Sequence, residues 1–500
     1  MEKKYNINFI ANLIGTVWSM IANFIFVPLY IKYLGEESYG LITFFATMQV
    51  FLNVLGLGLS KTLRREFSNP NYDSNTKYKY LRSIETIYYG ILLIIVVATT
   101  LLSNFIAFKW LNIESLDLEV VSNTIKLMGG SIGIQLVAGL YYGCFLGLEK
   151  HVKANAIHVG WSLFKNVFAI VFVVFVSRSI LTFYIVNLIC DIIYLLVLRI
   201  WLVADLRKDQ KLSYSFKDFK LLKKISKYAL GLMFVSIAYS INTQLDKIII
   251  SKYFSVIELG AYNSGCTLAR LISTIPSAIA LTMFSKFTIL FEKGSIKQDE
   301  LIKEYKKINS LASMIIICLS VFMGFYVKEI IIVWTNSQTI LGIIESEMKW
   351  LLLGNMCLAL QVIPYEYMLA CGKTKLNLVL SIVYIAYNIG LLPILVRNYG
   401  ITGAAFSYFI LMALSTVVYL IVFYAKYLKS NATSYILVDL LLSILIVVAM
   451  AIVSKLLSEL LFNKDLFRLM IGVIFGGISV IVVFISKRFI FKRSKKWNIC

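Results

Sequence analysis

The sequence predicts an all-α polytopic membrane protein. About fourteen transmembrane helices form two six-helix pseudo-repeats around a central cavity, and two further helices follow. Three observations carry this reading. Hydrophobic residues make up 59% of the chain and charged ones 15%, with mean hydropathy +0.80, whereas soluble domains carry about 25% charged residues. Basic residues collect in alternate short segments between apolar runs. Finally, several local patterns recur at one offset.

The apolar runs fall in order at 9–31, 40–60, 85–107, 121–147, 156–177, 180–202, 228–250, 259–285, 309–327, 350–371, 376–396, 401–425, 433–454 and 467–486. About 20 residues of helix cross a bilayer, so each run is long enough. The first follows a short polar start without a small-residue cleavage site, and reads as a helix rather than a removed signal. The stretch 330–348 is apolar in part but carries Asn336, Glu345 and Glu347. It reads as an extracellular loop or interfacial segment. With a cytoplasmic N-terminus, inner segments hold 34 Lys and Arg and outer ones 10. That bias orients both termini toward the cytoplasm. It also explains the net charge of +22 without nucleic acid.

The repeat appears where 32-KYLGEESYG-40 aligns with 252-KYFSVIELG-260 at an offset of 220. Likewise 147-GLEKHVKANAI-157 aligns with 371-CGKTKLNLVLS-381, pairing Lys150 with Lys373 at 223, and Asn166 pairs with Asn388 at 222. A shared offset implies two six-helix lobes in the same orientation, 1–202 and 228–425, joined by the basic cytoplasmic linker 203–227. Residues 426–500 add two helices and a basic tail. The seven cysteines lie mostly inside apolar runs without metal spacing, which favours buried free thiols over ligands or disulfides.

The chain resembles the polysaccharide transporter family, with its Wzx-type O-antigen flippases, of the multidrug/oligosaccharidyl-lipid/polysaccharide exporter superfamily. The resemblance covers essentially the whole chain. It rests on 28-PLYIKYLGEESYGL-41, 55-LGLGLSKTLRREF-67, 245-LDKIIISKYFSVIELGAYNSGCTLARL-271, 369-LACGKTKLNLVLS-381 and 400-GITGAAFSY-408. Relatives often carry an acidic residue in the second-helix motif where this chain has Gly56. The resemblance implies a bacterial cytoplasmic-membrane flippase and no enzyme. It would move a polyprenyl-pyrophosphate-linked oligosaccharide outward by alternating access, with membrane lipid and other polysaccharide assembly proteins as partners. No cofactor is expected beyond H+ or Na+ as a coupling ion. Two other readings stand beside it. One is a cation-coupled drug or metabolite exporter of the same superfamily, which favours an acidic pocket. The other is a membrane polymerase, although no outer segment is large enough for a folded active site. His151 and His158 are the only histidines, with no metal spacing or nucleophile motif.

Candidate site residues follow from polarity inside apolar runs. An arginine at mid-bilayer costs about 2.5–3.5 kcal/mol on insertion scales and faces a bundle interior or watery cavity. Arg270 lies on one helical face with Asn263, Thr267, Thr274 and Ser277. Lys165 and His158 share a face with Ser162, seven residues apart. Arg270 and Lys165 lack a carboxylate on their own helices, and a cationic cavity suits phosphate, which arginine binds bidentately and lysine as a point charge. Asn263, Thr267, His158 and Lys247 complete the expected substrate contacts. Hydroxyls at such positions also serve as helix–helix glue. Asp246, Asp191 and Glu366 are candidates for ion coupling or for neutralising a nearby cation. Lys61, Arg64 and Arg65, at the inner end of the second helix, suit either positive-inside anchoring or phosphate capture at the cytoplasmic entrance.

Overall fold

The computed structural model describes residues 2–207, 219–292, 298–373, 375–428 and 435–497. The central part of the expected linker, 208–218, and Cys500 lie outside the described residues. Fifteen α-helices run in chain order through these residues: α1 (Glu2–Leu34), α2 (Glu36–Phe67), α3 (Ser74–Phe105), α4 (Leu118–Gly147), α5 (His151–Phe175), α6 (Ile180–Arg207), α7 (Phe219–Tyr253), α8 (Val256–Glu292), α9 (Gln298–Phe325), α10 (Val327–Thr335), α11 (Gln338–Ala370), α12 (Lys375–Gly390), α13 (Leu392–Val422), α14 (Leu442–Leu461) and α15 (Asp465–Trp497). Wider π turns extend α3 and α13 and lead into α14. No strand occurs among the described residues, only a bridge between Asn112 and Ser255. Nine helical stretches are long and apolar enough to cross a membrane, and two shorter apolar helices accompany them. The protein is therefore an all-α, multi-pass membrane protein, and each expected apolar run is helical over most of its length.

In the stretch 330–348 the expected loop is replaced by the end of α10 and the start of α11, with a turn at 336–337. Asn336 turns the chain in the left-handed region (φ 53°) after α10, and Ser337 caps α11 by accepting from the Ile340 N–H at 3.0 Å. Glu345 and Glu347, which suggested a loop, are built into α11 instead. Glu347, for one, is buried and accepts from Thr402 Oγ1 at 2.6 Å. Farther on, Leu391 separates α12 from α13, Pro393 sits in the first turn of α13, and Gly400 (φ 64°) kinks that helix.

Two compact units divide the chain, Met1–Gly260 and Ala261–Cys500. In the first, α4 lies among α2, α3 and α6. Its core is built from large side chains including Phe67, Tyr88, Tyr141 and Phe145. The α7 helix packs along α2. Where α2 meets the start of α8, a Cβ on Gly40 would lie 1.8 Å from the Val256 carbonyl oxygen, and one on Gly260 3.0 Å from the Gly40 Cα. These are the two glycines the repeat aligns. Backbone contact this close admits no side chain on Gly40.

In the second unit, α14 and α15 pack on α9 around Ile317, Tyr326, Val447, Ala451 and Val483. Ion pairs tie the same region: Lys455 reaches Glu329 at 2.5 Å and Lys487 reaches Asp439 at 2.9 Å. The two C-terminal helices are thus packed into their unit by both apolar and charged contacts.

The second repeat pairing recurs as local geometry. After α4, Glu149 is left-handed (φ 56°), with bonds from Lys150 N to Phe145 O (2.9 Å) and from Glu149 N to Leu146 O (3.1 Å). After α11, Gly372 is left-handed (φ 67°), with Lys373 N to Met368 O (2.9 Å) and Gly372 N to Leu369 O (3.0 Å). Both are Schellman caps, residue for residue at the offset of 223.

Candidate functional site

Within the first unit, α4, α5 and α6 bring Lys165, Asp191 and His158 together. Asp191 is fully buried midway along α6. Its Oδ1 accepts from Lys165 Nζ at 3.0 Å and from Trp161 Nε1 at 3.1 Å. Its Oδ2 accepts from Gln135 Nε2 at 2.8 Å, from Lys165 Nζ at 3.2 Å, and from the Ser131 hydroxyl. Gln135 is joined in turn to Gln49 of α2. A buried carboxylate persists when a cation and several donors surround it. Here five donated bonds come from four residues. The Lys165 ammonium also lies 5.0 Å from the centre of the Trp161 ring.

His158 lies two turns before Lys165 on α5. Its Nδ1 lies 3.2 Å from the Tyr194 hydroxyl, and its ring is enclosed by Tyr142, Trp161 and Tyr194. Elsewhere in this unit Lys247 is buried on α7, its Nζ donating to Gln244 Oε1 at 3.2 Å. Asp246 Oδ1 accepts from the Lys247 backbone N–H at 2.8 Å. Lys61, Arg64 and Arg65 are exposed on one face of the last turns of α2. Gly56, where relatives often carry an acid, gives its carbonyl to the Tyr88 hydroxyl. A Cβ there would stand 3.1 Å from Tyr88 and Leu136.

Arg270 belongs to the second unit and is exposed on α8. Its carbonyl accepts from Ser273 and Thr274, while its guanidinium has no partner among the described residues. Asn263 and Thr267 share its face, half-buried, and the Thr267 hydroxyl donates to the Asn263 carbonyl at 2.8 Å. Glu366 is half-buried on α11 and is in no ion pair among the described residues.

Two charged clusters escaped the sequence reading. Glu85 is buried on α3, where it meets Arg82 at 2.8 Å, Tyr141 OH at 2.6 Å and Arg199 Nε at 3.5 Å. The signal for it was Arg199, a cation stranded inside a span, together with the Arg82–Glu85 spacing of three. The second cluster is Glu37, buried at the start of α2. Its carboxylate accepts the backbone N–H groups of Glu114, Ser115 and Leu116 in succession. That acid at the start of α2 holds the loop at 114–116 in place.

These polar clusters are set in a bundle of membrane-length helices, the architecture of a polytopic membrane protein. The fold is similar to that of the lipid II flippase MurJ in an inward closed conformation (TM-score 0.70, 16% identity), over 96% of this chain and 98% of that one. It is also similar to an inward-facing multidrug resistance MATE family transporter of the MOP superfamily (TM-score 0.65, 14% identity), over 82% and 94%. In sequence the chain is 22% identical over 394 residues to a Shigella flexneri protein described as "Putative O-antigen transporter", covering 75% of this chain and 87% of that one. The model of the polysaccharide biosynthesis protein family matches residues 7–287, and the chain belongs to that family.

Proposed function

We propose that the protein is a flippase. It carries a polyprenyl-pyrophosphate-linked oligosaccharide, such as an O-antigen or capsule repeat unit, from the cytoplasmic to the outer face of the bacterial cytoplasmic membrane by alternating access. Both termini then lie in the cytoplasm, as the basic segments require. The repeat halves 1–202 and 228–425 act as lobes, with 203–227 as linker and 426–500 as an added pair of helices. The observation that carries the reading is Arg270, a cation left exposed without a partner among the described residues, in a chain of the polysaccharide biosynthesis family.

Arg270 binds the pyrophosphate through its guanidinium fork, with Asn263 and Thr267 on the same face of α8 as further contacts, and Lys247 and His158 are the candidate substrate contacts of the first unit. Lys61, Arg64 and Arg65 gather the phosphates at the cytoplasmic side. Lys165 has a different status, because Asp191 already holds it. It becomes available to phosphate only when that pair opens. Asp191, Asp246 and Glu366 are the candidate residues for binding the coupling ion. Sodium is the alternative coupling ion.

The test is deletion in the native host, with extraction of lipid-linked intermediates. The expected result is loss of surface glycan with accumulation of completed lipid-linked units. Normal glycan with changed sensitivity to cationic drugs would point to an exporter. Display of single, unjoined units would point to a polymerase.

A further inference from the structure

An apolar groove of about 760 Å³ runs between α5 and α6. Its lining extends along α5 from Ala156 to Val176 at the C-cap of that helix, and along α6 from Thr182 to Trp201. We propose that this groove holds the polyprenyl tail of the transported lipid, an inference that rests on the flippase reading.

Three features select that occupant. The first is length. Twenty steps of helix at about 1.5 Å each give about 30 Å, the thickness of the whole hydrocarbon core. The acyl chains of a phospholipid fill one leaflet, whereas a long isoprenoid chain runs the full groove. The second is charge at one end. Lys153 lies 4.9 Å from the centre of the Trp201 ring, at the end of the groove that the proposed topology places in the cytoplasm. Lys150 and Lys153 both contact the same carboxylate, Asp205, at 3.1 and 2.8 Å. Two cations against one acid leave positive charge beside the mouth, where the phosphates of a tail-anchored substrate arrive.

The third feature is continuity with the candidate site. Trp161 and Tyr194 line the groove and stack with centroids 4.4 Å apart. On their other edges Trp161 donates to Asp191 and Tyr194 meets His158. An isoprenoid seated here packs directly against the rings that fix the Lys165–Asp191 pair.

Gly160 gives the means to test this. It lines the groove, and a Cβ added to it meets nothing within 4 Å. Gly160→Trp therefore fills the groove without a clash at its root. The full chain in lipid nanodiscs is photolabelled with a diazirine-bearing polyprenyl diphosphate that lacks sugar, and the labelled peptides are mapped. The expected result is label on α5 and α6 that unlabelled polyprenyl phosphate competes away and excess phosphatidylglycerol does not. In Gly160→Trp the label falls about tenfold, as loss of apolar burial requires. Ile94→Trp, on a lipid-exposed position of α3, keeps it. Equal competition by phosphatidylglycerol, or label confined to other helices, overturns the proposal. Translocation of lipid-linked glycan is measured alongside. Failure of the wild type to translocate defeats the flippase reading itself. Equal translocation by wild type and Gly160→Trp, with label elsewhere, defeats the groove alone.

Discussion

Lys165 and Arg270 look alike in the sequence, two cations stranded in apolar runs, yet the structure treats them in opposite ways. Lys165 is nearly enclosed, its side chain 13% exposed against an Asp191 at 0%. Arg270 is exposed on α8 and lacks a partner among the described residues. The first belongs to a satisfied network, so disturbing it disturbs folding. The second contributes little to its own unit, so its retention needs a reason outside the fold, and an anionic substrate supplies one.

Asp191→Ala is the sharpest way to break this contrast. Leaving Lys165 buried without its counterion should cost about 3–5 kcal/mol. Thermal unfolding in detergent reads this, and Lys165→Met in the same chain should restore much of the loss. An unchanged melting temperature would mean the pair is not the one described. Gly40→Val comes next, at about 3 kcal/mol from overpacking, because its Cβ has no room against the Val256 carbonyl. Gly260→Ala meets a wider 3.0 Å approach and should lose less by the same measure. Arg270→Ala should leave unfolding unchanged and slow translocation about tenfold, the equivalent of one charge-assisted bond of about 1.4 kcal/mol. Arg270→Lys should recover part of that rate.

The smallest effects compare the twin caps. Gly372→Ala should cost about 1 kcal/mol, whereas Glu149→Gly should gain about as much, since only the second relieves a side chain held at positive φ. Effects of equal sign at both positions would contradict the matched geometry.

Periodicity and charge made most of the fold legible. Helix positions and the repeat offset were open to reading because apolar length and local caps are properties of neighbouring residues. At the offset of 223 the backbone bonds of Lys150 and Lys373 match. Where the reading fell short, the decisive partner was distant in sequence. The counterion of Lys165 lies 26 residues away on the next helix, and Glu85 meets Arg199 across more than a hundred residues. In 330–348 the loop alternative fell because Glu347 has a buried partner in Thr402, 55 residues on. For Arg270 the sequence identified an anomalous charge, and the structure adds that α8 leaves it exposed.

The account's central claim is most directly tested by reconstituting the full-length protein into liposomes that carry a polyprenyl-diphosphate-linked oligosaccharide. The quantity followed is the rate at which inner-leaflet glycan becomes accessible to an added lectin. The account predicts a rate well above that of protein-free liposomes, falling about tenfold in Arg270→Ala at the same protein density. A wild-type rate equal to the protein-free background, or an Arg270→Ala rate equal to wild type, would contradict it.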